Sequence, residues 1–99
     1  MHITPPKTIA DGAATPHLGD LTFAIMRKNV EAIFTVSDQE LIEGMKFYGS
    51  TMKMVVEPTG CLSYAGMRSC GLDLKHKRIG ILISGGNVDL TRYADLISQ

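Results

Sequence analysis

The sequence is poor in the features that mark several classes of protein. It has no tryptophan, and its ten basic residues balance its ten acidic ones, so the formal net charge is zero. Without an excess of either charge there is no electrostatic surface to attract a nucleic acid or a membrane, and we expect neither as a partner. No apolar run could span a bilayer, and the first residues lack signal-peptide character, so we expect a soluble, cytoplasmic protein.

Cysteine and histidine are too few and too scattered to predict a metal site. Cys61 and Cys70 lie nine positions apart and form no C-x-x-C motif, so we expect reduced, buried or half-buried thiols, with a disulfide or metal pair as the alternative. The histidines, His2, His17 and His76, fall in different segments. We therefore predict no metal ligands, and a small enzyme built on a cysteine with His17 has no supporting spacing.

The length of 99 residues allows one domain, close to the lower limit for burying its own core. Residues up to about 17 are expected to form a loop, because prolines and Gly12 interrupt any regular element there. Beyond it, Ser37 with Glu40 forms a capping box, and Leu41, Met45 and Tyr48 follow at helical spacing. Predicted helices run from Asp20, as a cap, to about 32, from 37 to about 49, from 58 to about 69 and from 89 to about 98.

Short apolar runs at 33–36, 53–56 and 79–83 separate these predicted helices and are typical of strands. Helices that alternate with strands imply a parallel sheet with right-handed crossovers. The sequence therefore predicts an α/β fold, a small parallel sheet of about three strands in the order αβαβαβα.

Two polar turns follow the second and third predicted strands. Glu57-Pro58-Thr59-Gly60 follows 53–56, and Ser84-Gly85-Gly86-Asn87 follows 79–83. In a parallel sheet both turns emerge at one edge, roughly 5 to 10 Å apart if the strands are neighbours, where ligands bind. A carboxylate, a hydroxyl and a helix N-terminus there would suit a ring nitrogen or a phosphate. Alternatively, Glu57 caps the helix that Pro58 opens, and the glycines form only a tight turn.

Four segments together resemble the carboxyl-terminal portion of the pyridoxal-phosphate-dependent serine/threonine dehydratase and serine racemase family. That family has the tryptophan-synthase-β-like fold, and the resemblance implies that 1–99 is the last part of its larger cofactor domain. The resemblance covers essentially the whole chain. It is carried by Pro6-Lys7-Thr8-Ile9-Ala10-Asp11-Gly12, Ile33-Phe34-Thr35-Val36-Ser37, Val56-Glu57-Pro58-Thr59-Gly60 and Ser84-Gly85-Gly86-Asn87-Val88-Asp89.

The resemblance also implies roles for individual residues. Ser84 would donate a hydrogen bond to the pyridine nitrogen of pyridoxal phosphate, with Gly85 beside it in the same cofactor-binding loop. Gly12 would line the cofactor pocket through its backbone, and Glu57 would stand on the ring-nitrogen side. Asn87 would lie near a nucleotide effector site, although Thr51 replaces the arginine of nucleotide-binding relatives, which argues against activation by ATP.

The activity implied is that of a lyase of amino-acid metabolism. Its substrate would be a small hydroxy amino acid (serine, threonine or hydroxyaspartate), which loses water by β-elimination to give a keto acid and ammonia; a racemase is the other activity implied. The family's Schiff-base lysine, phosphate loop and cation-binding carboxylates have no counterpart in this sequence. We therefore predict no catalytic residue here, an inactive isolated chain, and pyridoxal phosphate bound in the full-length parent rather than by this chain alone.

A second hypothesis is a non-catalytic domain, derived from such an enzyme, that stands alone or self-associates. The edge of a small sheet is open to pairing with another chain. We therefore expect a homo-oligomer.

Overall fold

A computed structural model describes all 99 residues, and its regular structure is helical. None of its helices has the length and apolar character needed to cross a membrane. The four α-helices are α1 (Asp20–Asn29), α2 (Asp38–Phe47), α3 (Leu62–Ser69) and α4 (Leu90–Ile97), with 3-10 turns at Asp11–Ala13 and Thr59–Cys61 and a π-helical turn at Tyr48–Met52.

The predicted capping box at the start of α2 is confirmed. The Glu40 backbone N–H donates to the Ser37 hydroxyl at 3.3 Å, and the Ser37 backbone N–H donates to Glu40 Oε2 at 2.6 Å. Each side chain thus satisfies a backbone N–H that has no partner inside the helix. Four consecutive residues therefore carry the information for this helix start.

We expect the capping box to make the stability of the chain depend on pH. The hydrogen bond from the Ser37 backbone, followed by that from its side chain, lowers the pKa of Glu40 from its ordinary value. Because the folded pKa is the lower one, this stabilisation is complete above the unfolded pKa and is lost as the pH falls through the folded pKa. Glu40→Gln can keep the capping geometry but has no carboxyl group to titrate.

Urea unfolding at a series of acidic pH values measures this difference. We expect stability to fall more steeply on acidification in the native chain than in Glu40→Gln. Glu31→Gln is the matched control, since Glu31 is exposed between α1 and α2. If the stability of Glu40→Gln and that of Glu31→Gln fell equally with falling pH, Glu40 would not be the source of the pH dependence.

The core lies where α2 packs between α3 and α4. Leu41, Met45 and Tyr48, the predicted stripe of α2, are buried, with Met45 fully inaccessible. The Phe47 ring stacks on Tyr64 of α3, with 4.7 Å between the ring centroids. These residues belong to one cluster of ten buried residues, so the chain has a single small core.

Both cysteines are free thiols. Cys61 is buried in the core, and its burial raises the pKa of the thiol to about 11. Cys70 is half-buried and donates to the Met67 carbonyl oxygen at 3.4 Å. At neutral pH Cys61 is therefore a packing residue rather than a nucleophile.

The predicted α/β fold is wrong for this chain, because none of the three expected strands forms and there is no parallel sheet. A strand exists only when its backbone pairs with a neighbour through a ladder of hydrogen bonds. Residues 33–36 and 79–83 make no backbone–backbone hydrogen bond, and a single one joins Glu57 to Gly85. These segments have the apolar composition of strands, but no neighbouring segment pairs with them to form a sheet.

Two helix boundaries also differ from expectation. Gly19, not Asp20, is the N-cap of α1, which ends at Asn29 and buries none of its residues. The helix expected from 58 begins instead as a 3-10 turn, and no side chain caps it. The final helix begins within one residue of the predicted position, and its N-cap is Asp89, whose carboxylate accepts a hydrogen bond from the Arg92 N–H at 3.0 Å.

Candidate functional site

The glycine-rich loop, Ser84-Gly85-Gly86-Asn87, lies directly against residues 55–57, which precede α3. The Glu57 backbone N–H donates to the Gly85 carbonyl oxygen at 3.2 Å. A Cβ on Gly86 would run into the carbonyl oxygen of Val55, so the two backbones abut there. The two turns that the sequence places at one edge are therefore neighbours, although the sheet expected to bring them together is not formed.

Glycine at position 60 is needed for this close approach. A Cβ there would lie 2.5 Å from the Gly85 carbonyl oxygen and 2.8 Å from Val56 Cγ1. Glu57 Oε1 fills the space beside Gly85 where a side chain of residue 85 would begin. The alternative in which Glu57 caps the following turn is wrong, because no side chain caps that turn. The Glu57 carboxylate instead lies beside Gly85.

The Gly12 turn joins this pair of segments through Thr59. The Gly12 N–H donates to Thr59 Oγ1 at 3.1 Å and also to Asp11 Oδ1 at 2.9 Å. The preceding residues are tied to the start of α2, where the Asp38 carboxylate accepts from the Ile9 N–H at 3.3 Å. Three segments that are distant in sequence thus meet at one place.

A cavity of about 120 Å³ opens between these segments and the start of α4. Glu57 and Asn87 both line it, together with Asp11, Asp89 and Arg92. Asp11 and Arg92 form an exposed ion pair with 3.9 Å between Oδ2 and Nη1, which contributes little stability by itself. The cavity is therefore polar, with an arginine and several carboxylates around its mouth.

The structure does not bring every predicted site residue into this cavity. Ser84 is exposed next to Gly85 and does not line the cavity. Gly12 does not line it either, although its neighbour Asp11 does. No lysine is among the lining residues. Sequence reasoning missed Thr59, which accepts the hydrogen bond of the Gly12 N–H, and also Asp11 and Arg92, whose pairing no local pattern signals.

Comparison with known proteins shows the family of this chain. The model of the family described as pyridoxal-phosphate dependent enzymes matches residues 1–85. The chain belongs to this family. The resemblance inferred from the four sequence motifs is thereby confirmed.

Relatives within the pyridoxal-phosphate dependent enzymes match the chain along its whole length. Serine racemase of Schizosaccharomyces pombe is 62% identical over 99 residues, which are 100% of this chain and 31% of that protein. L-threo-3-hydroxyaspartate ammonia-lyase of Saccharomyces cerevisiae is 59% identical over 98 residues, 99% of this chain and 30% of that protein. The chain thus spans about a third of the length of the relatives it matches.

Solved structures of the family match the path of the backbone. Maize serine racemase superposes with a TM-score of 0.82 at 34% identity, covering 97% of this chain and 31% of that one. Serine racemase from Dictyostelium discoideum gives 0.77 at 38% identity, covering 85% of this chain and 28% of that one. The segments of this chain therefore keep the spatial arrangement of the complete fold even where no ladder joins them.

Proposed function

We propose that this chain forms the wall of a pyridoxal-phosphate site on the side of the pyridine nitrogen, in a dehydratase or racemase of hydroxy amino acids. The observation that carries the proposal is the contact between the Glu57 turn and the Gly85 loop, made through the Glu57 N–H and the Gly85 carbonyl oxygen. It sets a hydroxyl, a carboxylate and a glycine-rich backbone side by side.

The residues fit one end of the cofactor. Gly85 and Gly86 carry no side chain, so the Glu57 carboxylate and the Val55 carbonyl oxygen can lie against the loop that carries Ser84 and fix its position. The exposed Ser84 hydroxyl can exchange a hydrogen bond with a ring nitrogen, and Glu57 adds a carboxylate close by. No lysine lines the cavity, so this chain offers no group there for the aldehyde end. The fit covers the ring-nitrogen end only.

Each residue then has a limited task. Bound pyridoxal phosphate supplies the electron sink for the reaction. Ser84 would hold the ring in register through a neutral hydroxyl, which favours a protonated nitrogen less than a carboxylate would. Glu57 would keep the loop in place, since its backbone N–H and its carboxylate both touch Gly85. Asn87, at the cavity beyond the loop, would serve an effector rather than the ring.

The proposed substrate class follows from the names of the relatives. They include serine racemases, L-threo-3-hydroxyaspartate ammonia-lyases and an L-threonine ammonia-lyase, all of which name a hydroxy amino acid. We expect the same class here. The product would be a keto acid with ammonia, or the inverted amino acid.

A chimera tests the proposal. The residues of S. pombe serine racemase that match this chain are replaced by the 99 residues themselves. We expect the chimera to retain the visible absorbance of the cofactor after dialysis and to form a keto acid from a hydroxy amino acid. Ser84→Ala in the chimera should weaken cofactor retention about tenfold, the effect of one lost hydrogen bond of about 1.4 kcal/mol.

Ser63→Ala is the matched control, because Ser63 is an exposed serine of α3 that does not line the small cavity. It should leave retention and rate unchanged. A folded chimera without the absorbance band would contradict the proposal. So would equal behaviour of the two serine variants, since Ser84 would then have no special contact with the cofactor.

A further inference from the structure

The Gly12 turn, Asp11–Ala13, cannot hold its own position. Its three residues are exposed, and the only backbone–backbone hydrogen bonds of this turn lie between residues 10 and 14. A single turn of helix is unfavourable by itself, because several backbone angles are fixed in exchange for very few hydrogen bonds. The position of Gly12 therefore depends on contacts with other segments of the chain.

The residues just before this turn are anchored on α2. The Asp38 carboxylate accepts hydrogen bonds from the Thr8 hydroxyl and from the Ile9 N–H. The Asp11 carboxylate reaches α4 through an exposed ion pair of 3.9 Å, which contributes little stability. Neither of these contacts touches the backbone of Gly12.

Thr59 makes the contact that fixes Gly12. Thr59 Oγ1 accepts a hydrogen bond from the Gly12 N–H at 3.1 Å, and no other hydrogen bond joins the Gly12 turn to residues 55–61. A Cβ on Gly12 would lie 3.0 Å from Oγ1 and 3.2 Å from Cγ2 of Thr59, so this side chain packs against the α-carbon of the glycine. Both chain neighbours of Thr59 are buried, so Thr59 is a fixed support for an exposed turn.

We infer that Thr59 is a positioning residue, whose hydroxyl holds the backbone of Gly12 in place at the pyridoxal-phosphate site. The inference rests on the proposed function and on the expectation that Gly12 lines the cofactor pocket through its backbone. The N–H and the Cβ direction of Gly12 both face Thr59, so the cofactor would meet the opposite side of the residue. Thr59 therefore acts through Gly12 and not by touching the cofactor.

A second acceptor for the Gly12 N–H separates this role from a merely structural one. Asp11 Oδ1 accepts from the same N–H at 2.9 Å. Loss of the Thr59 hydroxyl therefore leaves no donor without a partner, and the cost in stability is small. What is lost is the link between the two segments, so cofactor binding should fall while the free energy of unfolding stays nearly constant.

Two variants of Thr59 and one control isolate the hydroxyl. Thr59→Val keeps the branched shape but replaces a hydroxyl by a methyl group that cannot accept a hydrogen bond, whereas Thr59→Ser keeps the hydroxyl. Thr91→Val is the matched control, because Thr91 is an exposed threonine of α4 whose hydroxyl makes no hydrogen bond in the chain. Urea unfolding should give the three variants nearly the native stability.

The first measurement uses the 99-residue chain alone and needs no cofactor. Nuclear magnetic resonance follows hydrogen exchange at the Gly12 amide. We expect exchange to become several-fold faster in Thr59→Val, because the turn opens more often. Exchange in Thr59→Ser and in Thr91→Val should match that of the native chain.

The second measurement uses the chimera described above. Its dissociation constant for pyridoxal phosphate is obtained from an absorbance titration. Thr59→Val should raise this constant roughly tenfold, the effect of losing one hydrogen bond that orders the site. Thr59→Ser should restore nearly native binding, and Thr91→Val should not alter it.

Three results would overturn the inference alone: unchanged exchange of the Gly12 amide in Thr59→Val, equally weak cofactor binding in Thr59→Ser and Thr59→Val, or native binding in Thr59→Val. A large loss of stability in Thr59→Val that Thr59→Ser does not restore would overturn it as well, since Thr59 would then be a packing residue. A chimera with the native 99 residues that bound no cofactor would instead overturn the proposed function, and with it the task assigned to Thr59, whatever the exchange rates show.

Discussion

Replacing Met45 by alanine is expected to lower the free energy of unfolding by about 2 to 5 kcal/mol, the range for truncating a buried methionine. Met45 is fully inaccessible and belongs to the only core cluster, which has ten residues. Native domains are stable by only about 5 to 15 kcal/mol, and a core of ten buried residues places this chain at the lower end of that range. The variant should therefore lose most of the helical signal of α2, α3 and α4 in far-ultraviolet circular dichroism.

Met52→Ala is the control for this prediction, because it removes the same side chain from a position that is 48% exposed. Its free energy of unfolding should change by no more than about 0.5 kcal/mol. Urea titration followed by circular dichroism compares the two variants. If they were equally stable, the packing of α2 against α3 and α4 would not be the source of the fold.

Features that depend on nearby residues were predictable from the sequence. The capping box of Ser37 and Glu40 needs only four positions, and the stripe of Leu41, Met45 and Tyr48 needs only the helical period. Asp89 caps α4 through the third residue after it. In each case the partner lies within a turn or two, so composition and spacing already contain the interaction.

The sheet was not predictable in the same way, because a strand is a property of two segments. The runs 33–36 and 79–83 have the composition of buried strands, but nothing in either run shows whether a neighbour is available. For α1, the apolar residues Leu21 and Ile25 are spaced for one face and yet stay exposed, since no element covers them. Local pattern gives the preference of a segment, and the rest of the fold decides whether it is realised.

The candidate site falls between these two cases. The neighbourhood of Glu57 and Gly85 was expected from the direction of two strands, and the contact exists although the strands do not. The single Glu57–Gly85 hydrogen bond and the steric matching at the glycines, rather than a ladder, join the two backbones. The pairing of Asp11 with Arg92 could not be foreseen, because it depends on where α4 comes to lie against the Gly12 turn.

That steric matching leads to the second large expected effect. Gly86→Ala should lower the free energy of unfolding by about 1 to 3 kcal/mol, the usual range for an added carbon in a filled space. The new Cβ would meet the carbonyl oxygen of Val55, which belongs to the backbone and cannot rotate away. Gly86 has no positive φ, so the effect is steric and not conformational. In the chimera the displaced loop should also retain less cofactor.

Two other glycines of the same segment make this prediction selective. A Cβ on Gly85 would meet only Glu57 Oε1, the end of a flexible side chain that can swing aside, so Gly85→Ala should be milder. A Cβ on Gly80 would meet nothing within 4 Å, so Gly80→Ala should be neutral or slightly stabilising. Urea unfolding should therefore give Gly86→Ala the lowest free energy of unfolding, Gly85→Ala an intermediate one and Gly80→Ala the highest. Any other order of the three free energies would mean that the contact of the loop with Val55 does not hold the two turns together. A loop free of that contact would accept a methyl group equally well at all three positions.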